Sequence, residues 1–174
     1  MTTTRTLLLL RHASAEPARS GHRDADRRLS PRGEAEADRV GAFLREQSLV
    51  VDRVLCSPAV RATQTLERLR LAAPTEVVPL LYAAGSDEVL ELVAAADVTT
   101  VLVVGHAPAV PGVVYDVTDP GSSSSAAAAA IADRFPPGTL ARLEIDGTWA
   151  DPSSATLVGV WVPGGSAGSY FTGR

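Results

Sequence analysis

Hydrophobic residues in this chain fall into short unbroken runs separated by stretches of helical period. The first run, Thr6 to Leu10, reads TLLLL. A continuous apolar run of this length suits a strand buried on both faces, as in a parallel sheet. Val51 to Cys56, TEVVPLLY from Thr75, and Thr100 to Val104 predict three further strands. Between them the period changes. Ser30 followed by Pro31 is a helix start, an N-cap hydroxyl with proline at the first helical position. Ala37, Val40, Phe43, Leu44 and Gln47 continue it at helical spacing. Ser57 and Pro58 predict a second start, with Ala62, Leu66 and Leu69 on one face. Asp87 to Ala95 predicts a third helix, and another follows Gly105 and His106. Alternating strands and helices imply an α/β fold around a largely parallel sheet.

The C-terminal part departs from this rhythm. DPGSSSSAAAAAIADRFPPG predicts a flexible Gly-Ser loop, then an alanine-rich helix stopped near Phe135 by two prolines. TLARLEIDGTWADPSSATLVGVWVP predicts two strands that add an antiparallel edge to the sheet. The expected organisation is one domain over residues 1–163 with a mobile tail over 164–174. Pro17 to Leu29 is polar, charged and aperiodic, and predicts a loop.

Composition narrows the function. The 174 residues are 45% hydrophobic and 21% charged, the balance of a soluble globular chain with enough length for a sizeable core. A net charge of -4 supplies no basic field for nucleic acid or an anionic membrane, so neither is an expected partner and any anion must be bound locally. Cys56 is the only cysteine, which excludes an internal disulfide and a cysteine-rich metal site. No signal-peptide cleavage pattern follows the first apolar run, and no stretch has the length of a bilayer span. The expected location is the cytoplasm. All 16 cationic side chains are arginines.

Candidate chemistry gathers at the strand ends, where open parallel sheets bind their ligands. The first strand runs into Arg11 and His12, the second leads through Ser57 to Arg61, and the fourth ends at Gly105 and His106. Each residue alone has a plainer explanation: a loop histidine, an arginine paired with a carboxylate, a serine capping a helix. Together, at equivalent edges of one sheet, they predict an anion site. Two arginines converging on one spot repel unless an anion lies between them, and the guanidinium fork matches phosphate oxygens. A neutral imidazole beside that anion can attack phosphorus. No metal-ligand cluster and no Walker pattern is present in the sequence, so no metal or cofactor is expected.

LLLLRHASAE, LCSPAVRATQT and VLVVGHAP together resemble the signatures of the histidine phosphatase superfamily, the phosphoglycerate mutase-like proteins. RHASAE and the following DADRRLSPRG resemble its SixA-like phosphohistidine phosphatase branch. The resemblance runs from about Thr6 to Pro111, with FPPGTLARLEI as a weaker echo. It implies a three-layer α/β/α fold with a mostly parallel sheet. It implies His12 as nucleophile, Arg11 and Arg61 as phosphoryl ligands, His106 as the second active-site histidine and Ser57 as pocket support. The implied activity is a metal-independent phosphatase with a phosphohistidine intermediate, acting on a phosphohistidine-bearing protein or a small phosphorylated metabolite. The alternative from another class is a phosphate-binding regulatory module without turnover. Ala15 and Ala18 stand where many relatives carry hydroxyl and asparagine side chains, which argues against a sugar-phosphate mutase. Larger relatives supply a carboxylic acid to the leaving group. Glu16, Asp24, Asp26, Asp87 and Glu88 are the available carboxylates, each expected to be a solvated surface charge.

Overall fold

The computed structural model describes residues 3–119, 121, 123, 135–149, 155–164 and 170–171. Its centre is a seven-stranded sheet. In chain order the strands are β1 (Thr4–Arg11), β2 (Arg53–Cys56), β3 (Thr75–Val77), β4 (Thr100–Gly105), β5 (Leu140–Asp146), β6 (Thr156–Trp161) and β7 (Tyr170–Phe171). Across the sheet they run β3-β2-β4-β1-β5-β6-β7. The first four strands in that order are mutually parallel, and β5, β6 and β7 continue antiparallel from β1. The expected antiparallel edge is therefore a three-stranded flank. β7 lies within the expected tail, and the rest of residues 165–174 lies outside the described residues.

The four leucines are explained by the pleat. Successive side chains point to opposite faces. Leu7 and Leu9 enter a core cluster with Val89 and Val93 of α3 (Ser86–Ala94) and Val110, Val113 and Val114 of α4 (Ala109–Val117). Leu8 and Leu10 enter the other cluster, with Val40 and Leu44 of α1 (Pro31–Glu46) and Ala62 and Leu69 of α2 (Val60–Leu69). All four leucines are fully buried. At about 1.5–3 kcal/mol for each such side chain, this one strand anchors both layers of helices.

α1 starts as expected, with the Ser30 hydroxyl accepting from Gly33 N–H at 3.1 Å. α2 does not start at Ser57–Pro58 but at Val60, with Ala59 as N-cap. Ser57 is drawn away by another partner, described below. TEVVPLLY is a strand only to Val77, and Pro79–Tyr82 form a 3-10 turn. Pro79 has no N–H to extend the ladder and favours the start of a helical turn. The alanine-rich helix expected before Phe135 lies outside the described residues.

Register fixes what meets at the strand ends. Arg11 lies opposite Gly105 across β1 and β4, so the residues that follow each, His12 and His106, emerge side by side. Helix α1 leaves β1 toward one face, and α4 leaves β4 toward the other. The gap between these two strand ends is a switch point, where open α/β sheets form their binding crevice. Among the described residues, no helix is long and apolar enough to cross a membrane.

Candidate active site

His12 and His106 lie with ring centroids 5.0 Å apart. The backbone fixes the state of His12. Its Nδ1 lies 2.8 Å from the carbonyl oxygen of Ala13, which can only accept, so Nδ1 carries the proton. Nε2 is left with its lone pair, and Arg61 Nε donates to it at 3.2 Å. Burial, opposed by the Ala13 hydrogen bond and reinforced by His106, Arg61 and Arg11, pulls the His12 imidazole down to about 3, so it is neutral at physiological pH.

His106 is held through Ser57. The Ser57 hydroxyl lies 2.7 Å from His106 Nε2 and accepts at 3.4 Å from Ala59 N–H. The hydroxyl keeps one proton and a second lone pair, so it holds the ring at Nε2 in either tautomer; with Ser57 donating, the imidazole proton lies on Nδ1. Burial, then the charge of Arg61, pulls His106 down to about 4. This contact explains why Ser57 caps no helix.

Arg61 follows the helix start of α2 by one residue and is almost fully buried. One end of its guanidinium touches His12. The other donates to Asp24, from Nη1 to the backbone oxygen at 2.7 Å and from Nη2 to Oδ2 at 2.8 Å. Arg11 donates from Nη1 to the Phe135 carbonyl at 2.6 Å. The FPPGT segment also holds the strand end, because Arg11 N–H donates to Thr139 O and Gly138 N–H to the carbonyls of Arg11 and His12. Gly138 is required there, since its φ is +78° and a Cβ would stand 2.7 Å from Pro163.

Two buried nitrogens beside His12, Arg11 Nε and His106 Nδ1, have no hydrogen-bond partner among the described residues. A buried donor left without an acceptor costs about 1–3 kcal/mol. Arg11 Nε is a donor, and His106 Nδ1 is one when Ser57 donates to Nε2. The arrangement suits a tetrahedral oxyanion that bridges them.

All five expected residues, Arg11, His12, Ser57, Arg61 and His106, are brought to this crevice. Asp24 is an exposed carboxylate, as expected, but it is also bonded to this cluster. Its side chain is partly exposed, yet Oδ1 accepts from Arg27 at 2.8 Å while Oδ2 accepts from Arg61 and from Tyr82 Oη at 3.0 Å. These bonds, Arg27 first, hold the carboxyl down at about 2. Glu16 pairs with Arg19, Asp26 with Arg23, and Glu88 accepts from Gly85 N–H at the start of α3. Cys56 ends β2 beside Ser57, but burial pushes its thiol up to about 12, so it is no competing nucleophile.

Sequence reasoning missed three contributors, and the role of Asp24. Tyr82 sets its ring edge-on to His106 at 5.7 Å. Thr65 accepts from Ala13 N–H at 3.1 Å and donates to Arg61 O at 2.7 Å. Asp24 orients Arg61. Glu36 is a buried carboxylate that accepts from Ser14. Of these only Glu36 left a signal, a carboxylate at helical spacing with Gly33, Ala37 and Val40 on the apolar face of α1. Among the described residues no group of three or more His, Cys, Asp or Glu side chains is placed to hold a metal ion.

The sequence profile of the histidine phosphatase superfamily (branch 1) matches residues 7–82. A protein of Mycobacterium tuberculosis is 41% identical over 159 residues, covering 88% of this chain and 99% of its own length. The phosphohistidine phosphatase SixA of Escherichia coli is 32% identical over 146 residues, covering 77% of this chain and 89% of that protein. Among solved structures, a candidate phosphohistidine phosphatase SixA from Nakamurella multipartitia superposes with a TM-score of 0.82 at 39% identity, over 93% of this chain and 98% of that one. The protein histidine phosphatase SixA complexed with tungstate superposes with a TM-score of 0.73 at 26% identity, over 91% and 97% of the two chains.

Proposed function

The chain belongs to the SixA-like branch of the histidine phosphatase superfamily, and from that premise we propose that it dephosphorylates a phosphohistidine-bearing protein through a covalent intermediate on His12. The observation that carries this reading is the tautomer of His12. With Nδ1–H held on the Ala13 carbonyl, the Nε2 lone pair needs no prior proton transfer, and it is freed for phosphorus when Arg61 Nε passes its hydrogen bond from Nε2 to a phosphoryl oxygen.

Arg11, Arg61 and His106 Nδ1 receive the phosphoryl oxygens. Their fixed donors stabilise the charge that spreads over those oxygens in the transition state. Nε2 forms the bond to phosphorus as the leaving group departs on the far side. Water then attacks the phosphohistidine and releases inorganic phosphate. This chemistry calls for no metal.

Asp24 supports this substrate class. It is the carboxylate bonded to this cluster, and the guanidinium groups of Arg27 and Arg61 keep it ionised. It has no proton to give to a departing alkoxide. A phosphorylated imidazole needs none once its second ring nitrogen is protonated from solvent, because the ring then leaves neutral. The names of the relatives agree: the Escherichia coli relative is a phosphohistidine phosphatase, and a SixA structure holds tungstate, itself a tetrahedral oxyanion.

The test is intact-protein mass spectrometry after brief exposure to phosphoramidate, comparing wild type with His12→Ala. An acid-labile phosphoryl adduct on wild type alone is expected, together with hydrolysis of a phosphohistidine protein. An equal adduct on both proteins would remove His12 as the nucleophile. No adduct on either, with phosphate bound but none released, would favour a phosphate-binding module.

A further inference from the structure

One peptide bond joins His12 to a buried carboxylate. The carbonyl of Ala13 accepts from His12 Nδ1 at 2.8 Å. The N–H of the same peptide unit belongs to Ser14 and donates to Glu36 Oε2 at 2.8 Å. Glu36 is only 4% exposed. Its other oxygen accepts from Ser14 Oγ at 3.1 Å and from Arg32 Nε at 2.7 Å. Arg32 lies out in solvent, where its charge is screened, whereas the Glu36 carboxylate that accepts from Ser14 N–H is buried.

Hydrogen bonds in a chain polarise one another, and they do so more strongly in a low dielectric. A carboxylate on the N–H side of a peptide pushes electron density toward its carbonyl oxygen. That oxygen then holds the Nδ1 proton of His12 more firmly, and Nε2 becomes the better nucleophile. A carboxylate placed directly on an imidazole N–H has the same effect in serine hydrolases. We propose that Glu36 is a positioning residue for His12, acting through the Ala13–Ser14 peptide to fix the Nδ1–H tautomer and raise the nucleophilicity of Nε2.

The proposal accounts for two otherwise unconnected features. A carboxylate occupies the apolar face of α1, where an alanine or leucine would pack without desolvation. Gly33, one turn earlier, admits the Ser14 backbone so closely that a Cβ there would lie 1.8 Å from Ser14 O. Both bring α1 against the peptide that follows His12. Arg11, Arg61 and His106 also face His12, and Asp24 reaches it through Arg61. Glu36 touches none of them, so its effect can be separated from theirs.

The inference rests on His12 as nucleophile, and the experiment tests the two separately. Phosphorylation by phosphoramidate is timed in wild type, Glu36→Gln and Ser14→Ala. Inorganic phosphate binding is measured on each by calorimetry. Glu36→Gln keeps an oxygen for Ser14 N–H but loses the charge, and phosphorylation is expected to slow about tenfold, equivalent to one pKa unit on a reacting group. Phosphate affinity should stay within about twofold, because Glu36 makes no contact with the phosphoryl ligands. Ser14→Ala keeps the N–H and should slow by less than about threefold, as one neutral hydrogen bond is lost. Phosphorylation of Glu36→Gln at the wild-type rate overturns the proposal. So does an equal loss in phosphate affinity, which marks a general distortion. Should Glu36→Gln not fold, Glu36→Asp, which draws the carboxylate back from Ser14 N–H, takes its place: slower phosphorylation at unchanged phosphate affinity supports the proposal, and the wild-type rate, or predominant Nε2–H in the ¹⁵N shifts of the wild-type His12 ring, refutes it. A wild type that takes no label on His12 defeats the functional reading instead.

Discussion

Lowering the pH from 7.5 to 5.0 should destabilise this protein through His12 and His106, the two histidines of the crevice. Both are ordinary near 6.5 in the unfolded chain, whereas burial holds His12 at about 3 and His106 at about 4 in the fold. Between 6.5 and about 4 the unfolded state therefore binds more protons than the native state. The stability from these groups is fully present above 6.5 and is lost as the pH falls. At pH 5.0 each histidine lies 1.5 units below its unfolded value, which costs ~2 kcal/mol each and ~4 kcal/mol for the pair. That is a large share of a typical domain stability of about 5–15 kcal/mol. Asp24 contributes nothing to this window, since its stabilisation fades only as the pH falls from 3.8 toward 2. The assay is urea unfolding at both pH values, in buffer free of phosphate, for wild type and for the double variant His12→Gln/His106→Gln. Wild type should lose about 4 kcal/mol more than the double variant over the interval. Equal losses would refute the assignment of both rings as buried and neutral.

Three further outcomes follow from the geometry. Arg61→Lys should lower kcat/KM for a phosphohistidine protein by roughly a hundredfold or more, because one ammonium cannot span from His12 to the backbone oxygen and Oδ2 of Asp24; steady-state kinetics within threefold of wild type would remove Arg61 from the site. Gly33→Ala should destabilise the fold by about 1–3 kcal/mol and slow turnover, since its methyl group collides with Ser14 O; an unchanged urea midpoint would show that α1 can retreat freely. Asp24→Asn should let inorganic phosphate inhibit at about fivefold lower concentration, as one exposed carboxylate competing for Arg61 is worth about 1 kcal/mol; an unchanged inhibition constant would mean that Asp24 and phosphate do not compete.

By itself the sequence determined whatever depends on local pattern. The apolar run before Arg11, the Ser30–Pro31 start and the alternation of strand and helix identify the elements, because burial and capping act over a few residues. The motif residues His12, Ser57, Arg61 and His106 were legible for the same reason, each lying within a few positions of a strand end. Tertiary structure alone decided how they meet. Pairing of Arg11 with Gly105 joins strands distant in sequence, and nothing local encodes that register. The same holds for the three-stranded antiparallel flank, for Ser57 turning from its helix to His106, and for PLLY curling into a turn that sets Tyr82 against His106. Asp24 illustrates the difference most plainly. In sequence it is one acid in a charged loop, and a long-range fold places it on Arg61, where neighbouring guanidinium groups fix its ionisation. Charge state and reactivity depend on what surrounds a group in space, and for these residues the surroundings come from distant parts of the chain.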